Sequence, residues 1–320
     1  MVRRIVLILL LGAVLGSGCE RVAKEVVEPQ SDYLLLGYDV LTTPGRTVTL
    51  RARLQKGKLL RDQEGEEIRF RLDGELRGRG RTDNGGFASV AFTPPRVGDY
   101  ELQVEWSPQG RGPSSAIRAR LLVACRPADA PMVVTDIDRT LAATRKRDFV
   151  GGEAMPLPGA ADAMKRIAKQ RTVVYLTHRP DYLGRKTKQW LARHGFPRAP
   201  LFLSRARQFL LGSEKFKSRA LSEIRKDFTG PGIGVGDKVS DARAYRTNGL
   251  KPVLILHIDA DADAGDLREL ADDLDKLDDS VQVVTHWRDV EKIILAGATF
   301  PRAAAQKHLR DRAAAPDKRR

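Results

Sequence analysis

Val133-Val134-Thr135-Asp136-Ile137-Asp138-Arg139-Thr140-Leu141 is an apolar run that ends in two carboxylates one residue apart. A strand covered on both faces of a parallel sheet reads as a continuous apolar run, so Met132 to Thr135 fits a central strand. Asp136 then falls at the carboxyl edge, where open α/β sheets bind ligands. Paired acids at that point suit phosphoryl transfer. The bland alternative is a loop that simply carries two acids.

Towards the C-terminus, apolar strands are predicted at Val133 to Thr135, Thr172 to Leu176, Leu201 to Leu203, Ile233 to Val235, Val253 to Ile258 and Val281 to Val284. Helical stretches separate them: Gly159 to Lys169, Tyr182 to His194, Phe216 to Phe228, Ser240 to Asn248, Gly265 to Leu277 and Trp287 to Leu295. This alternation predicts a Rossmann-like, doubly wound, mainly parallel α/β domain over 132–300. Residues 301–320 are Ala-rich and basic with no clear core face, and read as a solvated tail, with membrane-surface contact as the alternative.

Towards the N-terminus the period changes. Thr47 to Leu54, Ile68 to Leu72 and Tyr100 to Trp106 alternate with period two, and Thr43-Pro44-Gly45, Asp73-Gly74, Asp83-Asn84-Gly85-Gly86 and Val97-Gly98-Asp99 mark turns between them. Residues 33–125 therefore read as an all-β sandwich, joined to the α/β domain by the Pro-punctuated linker 126–131. Thr82 to Ala88 with Val97 to Tyr100 resembles bacterial immunoglobulin-like domains of surface proteins. The arginines at alternate strand positions face solvent in this reading, with an anion-binding face as the alternative. The chain as a whole is multidomain.

Residues 1–18 read as an export signal: Arg3 and Arg4 precede an apolar run, Ile5 to Leu15, short of the roughly 20 residues that span a bilayer. Leu15-Gly16-Ser17-Gly18-Cys19 resembles a bacterial lipobox, with Gly16 departing from its usual Leu. That resemblance implies a lipid on Cys19, a polar tether over 19–32 and a cell-envelope address. Ordinary cleavage and an uncleaved anchor are the alternatives. Cys125 would then be the only thiol, and it follows an apolar run that suits a buried structural Cys.

The 320 residues carry 56 Lys and Arg against 41 Asp and Glu, a formal net charge of +15, which calls for an anionic partner. The candidates are a phosphorylated small molecule, a phospholipid head group or anionic membrane, and nucleic acid. The basic residues are spread along the chain without interleaved aromatics, which argues against nucleic acid. None of these patterns speaks to oligomeric state.

Asp136-x-Asp138-x-Thr140-Leu141 after a strand resembles the first motif of the haloacid dehalogenase superfamily of phosphatases. Thr177, closing Val173 to Leu176, matches the second; Lys217 in Glu214-Lys215-Phe216-Lys217 the third; and Gly236-Asp237-Lys238-Val239-Ser240-Asp241 the fourth. The resemblance implies Mg²⁺ as cofactor, held by Asp136, the backbone carbonyl of Asp138 and Asp237, with Asp241 binding directly or through water. It implies Asp136 as nucleophile, Asp138 as acid and base, Thr177 as a phosphoryl donor and Lys217 as the fixed charge, Lys215 being the alternative lysine. Thr140, Arg139, His178 and Arg179 flank the implied phosphate, where Arg179 suits a second anionic group or a structural role. Asp259-x-Asp261-x-Asp263 imitates a calcium loop but lacks its Gly and Glu, and reads as a solvated turn.

No folded insertion is predicted between Asp138 and Thr177 or between Thr177 and Lys217, so the site reads as capless and open. Within the superfamily, Asp136-Ile137-Asp138-x-Thr140 and Glu214-Lys215-Phe216-Lys217-x-x-x-Leu221 resemble the LNS2-type catalytic domain of lipin-like phosphatidate phosphatases. Arg139, and Thr177-His178-Arg179-Pro180 in place of a Ser-rich second motif, depart from that pattern. Phosphatidate is thus the leading expectation, with a broad periplasmic phosphomonoesterase on soluble nucleotides or sugar phosphates second. A non-catalytic lipid-binding lipoprotein is the alternative of another class.

Overall fold

Period-two alternation between Tyr33 and Cys125 folds into two packed sheets, and the apolar runs that follow fold into a third. The computed structural model of the chain describes residues 32–108, 115–143, 154–210, 212–258 and 262–314. The expected signal and tether, Cys19 included, lie outside these residues.

The first domain holds β1 (Tyr33–Tyr38), β2 (Val40–Thr42), β3 (Val48–Lys56), β4 (Arg61–Asp62), β5 (Glu67–Leu72), β6 (Glu75–Arg81), β7 (Phe87–Phe92), β8 (Gly98–Trp106) and β9 (Ile117–Cys125). One sheet joins β1, β3, β4 and β7; the other runs β2-β9-β8-β5-β6. Inward residues of both, among them Leu50, Leu54, Phe70, Leu102, Val104, Trp106 and Leu121, form one core. Asp73 and Gly74, both at positive φ, make the tight turn between β5 and β6. Several strand arginines pair with neighbouring acids: Arg71 and Arg118 with Glu105, and Arg79 with Glu67. Arg53 departs from the expected solvent-facing pattern. It reaches Asp62 and, across the domain boundary, Asp181. Cys125 is buried and free, as its apolar context suggests.

The second domain begins at β10 (Met132–Thr135) and continues through α1 (Ala160–Ala168), β11 (Thr172–Pro180), a short 3-10 turn (Asp181–Leu183), α2 (Gly184–Arg193), β12 (Leu201–Ser204), α3 (Ala206–Phe209) and α4 (Ser213–Asp227). It is completed by β13 (Gly232–Gly236), α5 (Val239–Thr247), β14 (Leu250–Ile255), α6 (Ala264–Asp275), β15 (Gln282–Val284), α7 (Trp287–Ala296) and α8 (Arg302–Ala314). The sheet order β12-β11-β10-β13-β14-β15 is parallel throughout. Val133 packs with α1 and α7, and Met132 and Val134 with α4 and Tyr245, so the run is apolar because both faces of the strand are covered. Strand order reverses at β10, which makes Asp136 the residue at the switch point.

One expectation is corrected here. Residues 302–314 are not a solvated tail but a helix, packed on α6 through Gln306, Leu309 and Ala313. Gln306 Nε2 donates to the Ala271 carbonyl (3.1 Å), and Arg302 to that of Leu274 (3.0 Å). Of the three buried residues only Leu309 is strongly apolar, so the face carries little hydropathy to be read. Asp263 caps α6 by accepting from the Asp266 amide, which accounts for one acid of the imitation calcium loop. The loop's other two acids lie outside the described residues. Among the described residues no helix is long and apolar enough to cross a membrane.

Candidate active site

Three strand ends and two helix starts converge on one point. Asp136 follows β10, Thr177 sits near the end of β11, Asp237 follows β13, and Lys217 and Asp241 come from the first turns of α4 and α5. The loop after Asp136 is tight: the amides of Thr140, Leu141 and Ala142 all point to the Ile137 carbonyl at 2.8–3.2 Å. Arg139 takes a left-handed φ of 57°, which costs a side-chain-bearing residue about 1–2 kcal/mol. The His257 ring meets its carbonyl oxygen, and Trp287 Nε1 donates to the Thr140 carbonyl at 2.7 Å.

Lys217 is 1% exposed and sits between two carboxylates, 3.0 Å from Asp136 Oδ2 and 2.7 Å from Asp241 Oδ1. Burial works to lower its pKa, but Asp136 and Asp241 outweigh that and hold it well above the ordinary value. Each acid therefore spends one oxygen on the lysine. Their other oxygens, Asp136 Oδ1 and Asp241 Oδ2, are buried without a hydrogen-bond partner, as is Asp237 Oδ1. A carboxylate oxygen from each of the three lies within 4.8 Å of the others, forming a group able to hold a metal ion. Three acids against Lys217 and the partly exposed Arg139 leave local negative charge uncompensated, and orphaned carboxylate oxygens fit a hard divalent cation. A Cβ on Gly236 would come within 2.5 Å of Asp241 Oδ2, so the glycine of Gly-Asp-x-x-x-Asp is needed for this close approach.

Burial, then the charges of Asp136 and Asp241, push Asp237 up to about 7. A carboxyl raised in the folded state adds stability below its unfolded pKa and loses it as pH rises through the folded value. The metal-free protein should thus lose stability between about pH 4 and pH 8 while a bound cation restores it. We expect the rise in melting temperature on adding Mg²⁺ to be larger at pH 8 than at pH 5.5. A rise independent of pH, or larger at pH 5.5, would contradict this ligand set.

Asp138 is held differently. Arg179 grips both its oxygens, Nε to Oδ2 at 2.8 Å and a terminal nitrogen to Oδ1 at 2.7 Å, and its other terminal nitrogen reaches Thr187 Oγ1 at 3.2 Å. Arg139 Nε lies 3.4 Å from Asp237 Oδ2. Thr177 and Thr140 are buried, with Thr140 Oγ1 unpartnered. The His178 ring stacks on Phe209 (4.7 Å between centroids, 6° between planes), and burial lowers its pKa. The structure thus gathers Asp136, Lys217, Asp237 and Asp241 into one cluster, with Arg139 reaching Asp237, and turns Arg179 onto Asp138. Lys215 is exposed and makes no part of the cluster. Sequence reasoning missed His257, Trp287 and Thr187. His257 alone carried a readable signal, since it follows a parallel strand at the same carboxyl edge.

Residues 133–259 match the family described as PITM 1-3, LNS2 domain. The second domain carries an LNS2 domain. That match, together with the acid cluster at the sheet's carboxyl edge, supports a phosphatase-type domain. A search of curated proteins gives no match. Among solved structures, similarity is found to a D,D-heptose 1.7-bisphosphate phosphatase from B. bronchiseptica complexed with magnesium and phosphate (20% identity, 53% of this chain and 99% of that chain, TM-score 0.39). A Pnkp1/Rnl/Hen1 RNA repair complex is also similar (18% identity, TM-score 0.36), the match covering 41% of this chain and 43% of that one. The N-terminal Ig1-2 module of a Drosophila receptor protein tyrosine phosphatase, DLAR, is similar as well (14% identity, 33% of this chain and 60% of that chain, TM-score 0.23).

Proposed function

We propose that the LNS2 domain is a Mg²⁺-dependent phosphomonoesterase working through an aspartyl-phosphate on Asp136, with a membrane-borne phosphate of the phosphatidate class as substrate. One observation carries the reading: Lys217 bridges Asp136 and Asp241 while three carboxylates turn unpartnered oxygens to one place. Asp136, Asp237, the Asp138 carbonyl and Asp241, directly or through water, would hold Mg²⁺, which would supply charge to offset repulsion between a carboxylate and a phosphate dianion. The Asp136 carboxylate attacks phosphorus and the ester P–O bond breaks; Asp138, having first taken a proton from solvent on one of its oxygens, gives that proton to the leaving oxygen. Asp138 then takes a proton from water as that water attacks phosphorus, freeing Asp136 and inorganic phosphate. Lys217 fixes the nucleophile and faces the transferring group; Thr177 donates its hydroxyl to the phosphoryl oxygens. Thr140, Arg139 and His178 line the substrate side.

Openness supports a large or membrane-borne ester. Between Thr177 and Lys217 the described residues form α2, β12 and α3, which belong to the domain's own layers, with no cap. Residues 144–153, where a second cap would enter, lie outside the described residues. Phe209 (44% exposed) and Leu210 (70%) stand as an apolar tip beside His178, which suits a lipid surface. Lipidation of Cys19 in the cell envelope would place the site there and raise local substrate concentration.

The test is phosphate release by the full-length protein with Mg²⁺, from phosphatidate in mixed micelles and from soluble nucleotide and sugar phosphates. We expect kcat/KM on phosphatidate to be greater by about tenfold or more. Preference for the soluble esters would replace the lipid reading with a general phosphomonoesterase. Lipid binding with no release from any ester would make the domain a binding module. Membrane fractionation of Cys19→Ala checks the anchor, with release into the soluble fraction expected.

A further inference from the structure

Asp181 belongs to the second domain, yet the sandwich holds its carboxylate. It is 4% exposed, and its Oδ2 accepts from Tyr38 Oη at 2.7 Å and from Arg53 at 3.4 Å. Arg53 is itself fixed, through two bonds to Asp62 (2.9 and 3.0 Å) and one to the Gly85 carbonyl (3.1 Å). Burial and the adjacent Asp181 raise the Tyr38 pKa, so the phenol stays a neutral donor. The two domains also share Asp39, which accepts from the Leu122 amide (2.7 Å), from Lys188 (2.6 Å) and from the Leu201 amide (3.0 Å) at the start of β12.

What precedes Asp181 in the chain gives this contact its meaning. The ladder between β11 and β12 runs to Thr177 and Leu203, then skips and resumes at Pro180 and Ser204. His178 and Arg179 therefore lie on an excursion that the ladder does not hold, and Arg179 is the residue that grips Asp138 with two bonds. A two-bond guanidinium–carboxylate pair sets orientation as well as charge. Pro180, with φ of −59°, leads directly into Asp181 and leaves little slack between the grip and its anchor.

We propose that the β-sandwich is part of the catalytic unit: Tyr38 and Arg53 are positioning residues that, through Asp181, hold the Arg179 excursion and so orient Asp138. This rests on the phosphatase reading above, with Asp138 as the proton donor. Orientation of that donor matters most when the leaving oxygen is a poor leaving group, because an acidic alcohol departs without a proton. Loosening the anchor should therefore discriminate between esters, which a general loss of folding would not do.

The experiment uses the full-length chain and the variants Tyr38→Phe and Asp181→Asn. Three quantities are read: kcat and KM on an alkyl phosphomonoester and on p-nitrophenyl phosphate, melting temperature, and deuterium uptake of a peptide spanning residues 178–183. Expected for Tyr38→Phe is faster uptake over 178–183 and a kcat on the alkyl ester lower by about tenfold, with KM and p-nitrophenyl phosphate turnover changed less than about twofold. Asp181→Asn should move the same quantities in the same direction. Unchanged uptake overturns the anchor, and equal losses on both esters overturn its action through Asp138. Should the wild-type chain release phosphate from neither ester, the phosphatase reading fails, and uptake still decides the anchor.

Discussion

Replacing Asp136 by Asn is expected to lower phosphate release by about 10⁴-fold or more while raising the melting temperature of the Mg²⁺-free protein. An amide of the same shape cannot form the acyl phosphate, so the first step is lost, not merely slowed by misplacement. The stability gain has a separate cause. Burial raises the Asp136 pKa, Lys217 opposes this, and the charges of Asp241 and Asp138 add to it, so an ionised Asp136 is under stress without a cation. Asn removes that charge, and Lys217 keeps Asp241 at 2.7 Å. A rise of about 1–3 °C is expected, together with loss of most of the Mg²⁺-induced shift. Release retained above about 1% of wild type would mean that another group attacks phosphorus.

The second large effect separates two lysines two residues apart. Lys217→Met leaves Asp136 and Asp241 buried without their shared cation, and breaking a buried pair in this way costs about 3–5 kcal/mol. Turnover should fall by about 10³-fold, since the fixed positive charge beside the transferring group goes with it. Mg²⁺ should recover part of the lost stability by supplying charge to the same carboxylates. Lys215→Ala removes only an exposed ammonium, so stability should stay within about 0.5 kcal/mol and turnover within about twofold. The reverse pattern, with Lys215→Ala inactive and Lys217→Met active, would place the wrong lysine in the site. Thermal melts with and without Mg²⁺ and steady-state kinetics on one ester make the comparison.

Much of the site was legible because parallel sheets impose strict addresses. Apolar runs at Met132, Thr172, Gly232 and Leu250 mark strands covered on both faces, and the residues just beyond such strands must meet at one edge. That logic found Asp136 without knowledge of any contact, while Thr177 and Asp237, at the ends of neighbouring strands, were reached by resemblance. Lys217 and Asp241 were reached by resemblance, and the structure shows why those positions matter: each is the first buried charge its helix offers to the edge. What the same logic missed lies where no period exists. α8 hides its core face behind Gln306 and Ala313, and Arg179 reads equally as an anion-binding or a structural group until the fold turns it onto Asp138.

The sequence by itself determined two domains, the period of each, and that Asp136 would stand at the head of the parallel sheet, because strand burial and side-chain alternation are local properties of the chain. Only the tertiary structure decided which charges pair. Arg179 and Asp138 are 41 residues apart in sequence, Lys217 and Asp241 are 24 apart, and Tyr38 reaches Asp181 over 143. A carboxylate buried at such a crossing takes whichever donor the packing delivers, and no local pattern names that donor in advance.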